Sequence, residues 1–417
     1  MSSQKLSARA VVVWAAACTV YVIAITGRTS FGVAGVDAIA RFHIDASRLA
    51  VFTSVQVGVY ALSQIPVGML IDRFGPRLLL LVGALTMAIG QLVLGLALSY
   101  PLAIGARVLI GAGDATAFLS VMRLLPVWFP VRKAPLFSQL TGGLGQIGQF
   151  LSAVPFLHAL HVFGWEMAFI GLGAIGALWA ILASLVVADA PYPVERRAVA
   201  RPSVRSMLAT VTRDPVVWQG VFIHWTNMMP ITVFLLLWGV PMMTLGMGLD
   251  RAAIGVVLTA VTVASVAAGP LHGIISARLG RRRDGFAGLC ALAICLSTAA
   301  FFASGSPYGV GPLLIMLVIV SLLTPAANYG FDTIRETVDL KVLATATGLA
   351  NMGGFTAIMI AAQLLGAVLD VRAPGAGYDW SDFRVAWLAV GLTWALGMVG
   401  YLWCRAKVRA RPSVAWR

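Results

Sequence analysis

Three charged residues stand where a chain crossing lipid can least tolerate them. Arg28 falls in the first apolar run, within Gly27-Arg-Thr-Ser-Phe-Gly-Val-Ala34, and Arg107 and Asp114 fall in the fourth, within Arg107-Val-Leu-Ile-Gly111-Ala-Gly113-Asp114. A charge inside a lipid-spanning helix is expensive and needs a partner or a water-filled cavity. Seven residues make two helical turns, so Arg107 and Asp114 share one face about 10.5 Å apart. That is too far for a direct bond, yet both can face Arg28 on a neighbouring helix. Such a set is either an ion pair holding two spans together or a site that receives a charged guest, and the residues alone leave both open.

The C-terminal half carries fewer such groups. His224, Trp225 and Asn227 lie in the seventh run. A lone intramembrane histidine is usually a hydrogen-bonded packing residue; the alternative is a ligand for substrate or proton. Asn328, Tyr329, Asp332, Arg335 and Glu336 close the tenth run, and the i,i+3 spacing of Asp332 and Arg335 predicts a local ion pair and a latch at that end. Asn351 and Gln363 read as packing polars. There is no phosphate-cradling G-x-x-x-x-G-K-[S/T], no metal-spaced His/Cys cluster and no nucleophile elbow, so neither an enzyme nor an ATP-driven pump is expected, and no cofactor or metal. Cys18, Cys290, Cys295 and Cys404 all lie in apolar runs and read as small core residues rather than disulfides.

The elements that must position these groups follow from composition. Of 417 residues 59% are hydrophobic and only 11% charged, with a mean hydropathy of +0.90, which describes a membrane protein. The formal net charge of +14 does not point to nucleic acid, because the basic residues punctuate apolar runs instead of gathering on one module. Charge-poor segments predict twelve spans at 10–35, 49–71, 78–98, 102–125, 134–160, 166–188, 215–243, 252–277, 285–304, 310–334, 342–370 and 384–405. Lys5 and Arg9 before an apolar run imitate a signal peptide, but the run continues through Arg28 as a retained first helix would. With both ends cytoplasmic, 23 of the 30 basic residues fall on that side, and only Arg41, Arg48, Arg251, Arg372 and Arg384 are left outside. The 191–213 stretch reads as a solvated connector touching anionic lipid. The outer loop 371–383, with Tyr378, Asp379, Trp380 and Asp382, reads as an interfacial cap.

Two loops repeat. Gly68-Met-Leu-Ile-Asp72-Arg73-Phe-Gly75-Pro-Arg77 ends the second run, where Gly68 lets a helix come close and Gly75 permits a tight turn. Gly273-Ile-Ile-Ser-Ala-Arg278-Leu-Gly280-Arg-Arg282 follows 205 residues later with Ala277 in place of the aspartate. The apolar runs repeat with the same offset, which argues for a duplicated bundle. The pattern G-x-x-x-D-R-x-G-x-R resembles the loop signature between helices two and three of the major facilitator superfamily. That resemblance implies an all-α membrane protein of twelve transmembrane helices in two pseudo-symmetric six-helix bundles. The bundles are expected over 1–190 and 214–417, joined by a cytoplasmic linker at 191–213, with a central site lined by spans one, four, seven and ten.

A narrower resemblance covers residues 27–133. The run G-R-T-S-F-G-V-A, then Tyr60-Ala-Leu-Ser-Gln64-Ile-Pro66, the R-x-x-x-G-x-x-D element and Pro126-Val-Trp-Phe-Pro130 look like the anion:cation symporter branch. It implies that Arg28 binds a substrate anion, Asp114 carries the coupling proton and Arg107 tunes Asp114. Members of that branch often have an acid just before the first arginine, and here Gly27 stands there. Nitrate/nitrite porters are neighbouring possibilities with intramembrane arginines. Drug antiporters of the superfamily carry a glycine–proline motif in helix five, whereas Gly142, Gly145 and Gly148 here lack the proline, Gln146 standing in its place. The expected function is proton-coupled uptake of a small organic anion by a monomer in a bacterial inner membrane, its partners being solute, protons and the bilayer. Substrate contacts are expected from Arg28, Arg107, His224 and Asn227, and gating from Gly68, Asp72, Arg73, Gly75, Arg77, Gly273, Arg278, Gly280, Asp332 and Arg335. The alternatives are proton-antiport efflux of a drug or metabolite and a transporter-like sensor.

Overall fold

A computed structural model describes residues 6–44, 46–191, 203–373 and 378–410. Among these residues ten apolar helical segments are long enough to cross a membrane, and two of them, Ala134–Val186 with 53 residues and Ala252–Phe302 with 51, are long enough to cross twice. Twelve crossings result, as the hydropathy predicts. They are α1 (Ala8–Val33), α2 (Ala46–Phe74), α3 (Pro76–Leu96), α4 (Tyr100–Trp128), α5 (134–163), α6 (165–186), α7 (Pro215–Gly246), α8 (Arg251–Leu279), α9 (Arg283–Phe302), α10 (Val310–Thr337), α11 (Leu343–Arg372) and α12 (Trp380–Arg409). Their ends lie within a few residues of the expected ones, because a helix carries on past its last apolar residue into polar caps.

The breaks have local causes. Gly164 takes φ 77°, a left-handed conformation that a side chain disfavours, and this separates α5 from α6. Gly75, at φ 94°, ends α2, and Pro76 opens α3 at the first helical position, where no N–H is needed. Asp214 accepts from the Val216 N–H at 3.1 Å and Asp250 from the Ala253 N–H at 2.8 Å, capping α7 and α8. Asp379 and Asp382 form a reciprocal capping box at the start of α12. The Asp382 N–H beside Asp379 holds that exposed carboxyl below its usual range. Asp382 also accepts from Arg372 at 2.9 Å, so the described part of the 371–383 loop folds onto its own helix ends. Two stretches of π-helix within α7, Phe234–Trp238 and Met242–Gly246, have no signal in the hydropathy.

The chain divides into two compact units, Met1–Val211 with Val338–Gly348, and Thr212–Thr337 with Leu349–Arg417. The division falls between Val211 and Thr212, and Val338–Gly348 is counted with the first unit. Of the expected 191–213 connector, 192–202 lie outside the described residues, whereas Val204–Arg213 is a helix that buries Met207 and Val211. In the first unit small residues let α4 approach its neighbours. A Cβ on Gly111 would meet the Gln56 carbonyl oxygen of α2 at 2.7 Å, and one on Gly113 would strike the Gly83 carbonyl of α3. The α5 glycines have the same use, since a Cβ on Gly148 would lie 2.5 Å from the Val22 carbonyl oxygen and one on Gly145 3.0 Å from the Tyr21 hydroxyl. In the second unit Gly220 and Gly330 face each other, a Cβ on Gly330 falling 2.7 Å from the Gly220 carbonyl oxygen.

This packing predicts a contrast along one helix. Gly111→Leu should destabilise the purified protein by about 1–3 kcal/mol through overpacking. Gly105→Ala, at a position where a Cβ meets nothing within 4 Å, should leave it as stable or slightly more so. Thermal unfolding in detergent reads both, and equal loss in the two variants would refute the close approach of α4 and α2.

Candidate functional site

In the first unit α1 and α4 bring the three intramembrane charges together. Arg28 grips Asp114 with two parallel donors, Nε to Oδ2 at 2.6 Å and Nη2 to Oδ1 at 3.1 Å. The Asp114 carboxylate is fully buried while the Arg28 side chain keeps 21% of its surface exposed. Such a fork–fork contact is the strong, planar form of a guanidinium–carboxylate bond. Arg107 donates Nη2 to the Arg28 carbonyl oxygen at 3.4 Å and lies over the Phe31 ring at 4.7 Å from its centroid. Its Nε and Nη1 are buried and without a hydrogen-bond partner among the described residues, and the residue is only 1% exposed. One carboxylate therefore faces two guanidiniums, and it is committed to Arg28.

The surroundings explain this placement. The Tyr60 ring of α2 lies 4.6 Å from the Arg28 guanidinium carbon, a cation–π contact. Gln91 of α3 donates to the Gly27 carbonyl at 3.1 Å, and a Cβ at position 27 would lie 2.9 Å from that amide nitrogen and 3.1 Å from the Met87 methyl. An acidic side chain at Gly27 would therefore have to displace the ends of the Gln91 and Met87 side chains. Tyr60, Phe31 and Gln91 were not singled out from sequence as site residues. Phe31 had a signal, being i+3 from Arg28 and so on its face. Gln91 had a weaker one, as a long polar side chain in an apolar run.

The second unit holds a separate polar group on α7. His224 places Nδ1 3.4 Å from the Ala327 carbonyl oxygen, packs tilted against the Phe331 ring at 4.6 Å and has Asn351 beside it. Asn227 spends its amide N–H on the Ile223 carbonyl at 2.9 Å and leaves Oδ1 buried without a partner among the described residues. Trp225 points elsewhere, donating to the Thr393 carbonyl of α12 at 2.9 Å. Towards the end of α10, Asp332 pairs with Arg335 at 2.7 Å and accepts from Ser276 of α8 at 2.5 Å. Arg283 pairs with Glu336 at 2.8 Å, and Tyr329 bonds His272 at 2.9 Å. These contacts make a buried, charge-balanced strap between α8, α9 and α10.

The two signature loops differ sharply. Asp72 is enclosed and accepts four bonds: from the Ala344 N–H at 2.9 Å, from the Thr345 N–H and hydroxyl at 2.8 Å each, and from Arg123 Nε at 3.3 Å. It thereby caps the first turn of α11 with a negative charge, where the helix dipole and unpaired N–H groups favour one. Gly68 allows the approach, since a Cβ there would lie 2.6 Å from the Ala344 carbonyl oxygen. This bond set is the physical reason why Val338–Gly348 groups with the first unit. Arg73 and Arg77 are exposed, and the Arg77 backbone N–H donates to Asp189 at 2.9 Å. In the second loop Gly273 is buried within α8, Arg278 is exposed and Gly280 makes the turn with φ 50°. With Ala277 in the aspartate position, that loop has no carboxylate to offer a helix end.

Comparison with known proteins agrees with this architecture. The family model for the Major Facilitator Superfamily matches residues 17–362. The probable sulfoacetate transporter SauU of Cupriavidus necator is 28% identical over 174 residues, which is 42% of this chain and 40% of that protein. The match therefore takes in less than half of that relative's length. The probable L-galactonate transporter of Escherichia coli is 23% identical over 395 residues, 90% of this chain and 84% of that protein. The crystal structure of the E. coli fucose:proton symporter superposes with a TM-score of 0.69 over 95% of this chain and 99% of that one, at 14% identity, a likeness of fold.

The Asp72 contacts predict a measurable cost. Asp72→Ala leaves the α11 N–H groups and the Thr345 hydroxyl unsatisfied and should destabilise the protein by about 1–3 kcal/mol, with Asp72→Asn intermediate. Limited proteolysis should then open the 338–348 segment first. Unchanged thermal unfolding in Asp72→Ala would mean the cap carries no net stability.

Proposed function

Because the chain belongs to the Major Facilitator Superfamily, whose members are membrane transporters and not enzymes, we propose that it takes up a small organic anion together with protons, by alternating access. The observation that carries this reading is Arg107, a buried guanidinium whose Nε and Nη1 lack partners among the described residues. A buried charge left uncompensated is costly, and a carboxylate or sulfonate supplies both the charge and the acceptors. With Asp114 ionised, the Arg28–Arg107–Asp114 set carries one net positive charge, which a monoanion neutralises. With Asp114 protonated it carries two, which suits a dianion. The names of two similar proteins, for sulfoacetate and L-galactonate, support an organic acid as the solute class.

Coupling follows from the exclusive use of Asp114. A proton on Asp114 removes its claim on Arg28, so that Arg28 and Arg107 both turn to the anion. Loss of the proton on the other side restores the bidentate pair and expels the solute. His224 and Asn227 are the second unit's candidates for solute contact, Asn227 through its unpartnered Oδ1. Asp72 serves as a latch that holds the start of α11 in one access state. The α5 glycines have packing partners and no proline after Gly145, which favours uptake over drug efflux. The distribution of Lys and Arg supports insertion in a bacterial inner membrane with both termini cytoplasmic.

Proteoliposome flux tests the reading. Arg28→Lys should weaken anion binding, since an ammonium does not reproduce the planar fork, and Arg28→Ala should abolish it. Asp114→Asn should retain exchange of labelled for unlabelled solute yet lose accumulation driven by an inward proton gradient. Uphill, proton-driven uptake persisting in Asp114→Asn would remove that residue from the coupling path. Accumulation driven by the opposite gradient would establish efflux, and ligand binding without any flux would make the protein a sensor.

A further inference from the structure

A groove of about 400 Å³ lies within the second unit, between α9 and α12, with Pro230 of α7 at its base. It is separate from every charged group of the candidate site. Its walls are apolar, and two indole rings line it, those of Trp387 and Trp394, whose N–H groups are buried in the wall without a partner among the described residues. The Trp387 ring is fixed by stacking on Phe302 at 5.0 Å, so the missing partner is not a matter of a free rotamer. Buried donors are nearly always satisfied, and a donor orphaned in an apolar groove marks the place of an acceptor. At the groove's outer end stands Arg384, which donates weakly to the Ser304 carbonyl at 3.4 Å and has no acid in ion-pairing range among the described residues.

The spacing along α12 orders these groups by depth. Arg384 lies at the end of the span, beside the 303–309 loop; Trp387 is one turn deeper, about 4.5 Å, and Trp394 two turns further, about 10.5 Å. Ala299 and Gly391 are exposed and leave the groove open along its length, while Leu388 and Leu392, 69% and 68% exposed, present the same face of α12 to lipid. The groove thus offers a cation at the membrane boundary, an N–H donor just below it and an apolar channel beneath, in the order in which a glycerophospholipid presents phosphate, ester carbonyl and acyl chain.

We propose that this groove is a binding site for one anionic glycerophospholipid of the leaflet on the side of the 303–309 loop. Its phosphate meets Arg384, an ester carbonyl accepts from the Trp387 N–H, and one acyl chain runs past Ala299 and Gly391 towards Trp394. The lipid would also touch Pro230, three residues from Asn227, and so reaches the helix that bears the second unit's polar group.

The test uses the full chain purified in detergent, titrated with phosphatidylglycerol, phosphatidylcholine or sn-glycerol 3-phosphate, with native mass spectrometry and thermal unfolding as readouts. Phosphatidylglycerol should bind at least about five-fold more tightly than phosphatidylcholine and raise the unfolding temperature, whereas glycerol phosphate should do neither. Arg384→Gln should erase the preference for the anionic lipid. Trp387→Phe keeps the stacking on Phe302, removes the N–H and should weaken both lipids alike. Gly391→Leu fills the groove at a position where a Cβ meets nothing within 4 Å, so it should abolish retention while leaving the lipid-free unfolding temperature intact. Equal binding of the two lipids by the unaltered protein, protection by glycerol phosphate alone, or undiminished lipid retention in Gly391→Leu would each overturn the proposal.

Discussion

The structure depends on charge compensation at a depth where water cannot supply it. Arg28 and Asp114 meet through two hydrogen bonds inside the first unit, and the rest of that unit is arranged so that they can. Their attraction in a low-dielectric interior offsets a desolvation cost that neither would survive alone. Arg107 is the imbalance in this arrangement. It shares the helix and the face of Asp114, whose carboxylate is already gripped by Arg28, and its own hydrogen bond goes to a backbone carbonyl while its guanidinium lies over an aromatic ring. A fully balanced cluster would be a strut. One with a surplus guanidinium is suited to a guest.

That cluster is held by glycines rather than by large side chains. Gly111 and Gly113 bracket the approach of α4 to α2 and α3, one turn or less from Asp114. In lipid there is no hydrophobic drive between helices, so close backbone contact must supply the attraction. The same approach sets the position of the carboxylate relative to Arg28. A larger residue at either glycine would move the acid as well as loosen the packing, so stability and site geometry are coupled here by construction.

The signature loop works by a different means. Asp72 gathers the unpaired N–H groups of α11 and the guanidinium of Arg123, making one carboxylate the common acceptor for a helix terminus and a neighbouring span. The bond is strong because charge, dipole and orphan donors coincide. It is also local: without it the Ala344 and Thr345 N–H groups and the Thr345 hydroxyl lose their acceptor together. The duplicated loop, with Ala277, has the turn without the acceptor.

The sequence by itself determined the architecture. Twelve apolar runs, the repeated loop and the offset of 205 residues are one-dimensional signals, because a helix that crosses lipid must satisfy its own backbone and declare itself by length and hydropathy. It also singled out Arg28, Arg107 and Asp114, since a charge among apolar residues is conspicuous without any knowledge of its neighbours. The seven-residue spacing already excluded a direct Arg107–Asp114 bond, but that Arg28 takes the carboxylate in a two-bond grip while Arg107 turns to the Arg28 carbonyl and the Phe31 ring was decided only by tertiary packing. The same is true of Tyr60 over Arg28, of Gln91 occupying the space at Gly27, and of Asp72 finding Ala344 and Thr345 more than 270 residues away. The π-helical stretches of α7 and the orphaned indoles of α12 were likewise silent in the sequence. Hydropathy reports how much of a side chain dislikes water, and these features depend on whether a particular N–H finds a particular acceptor.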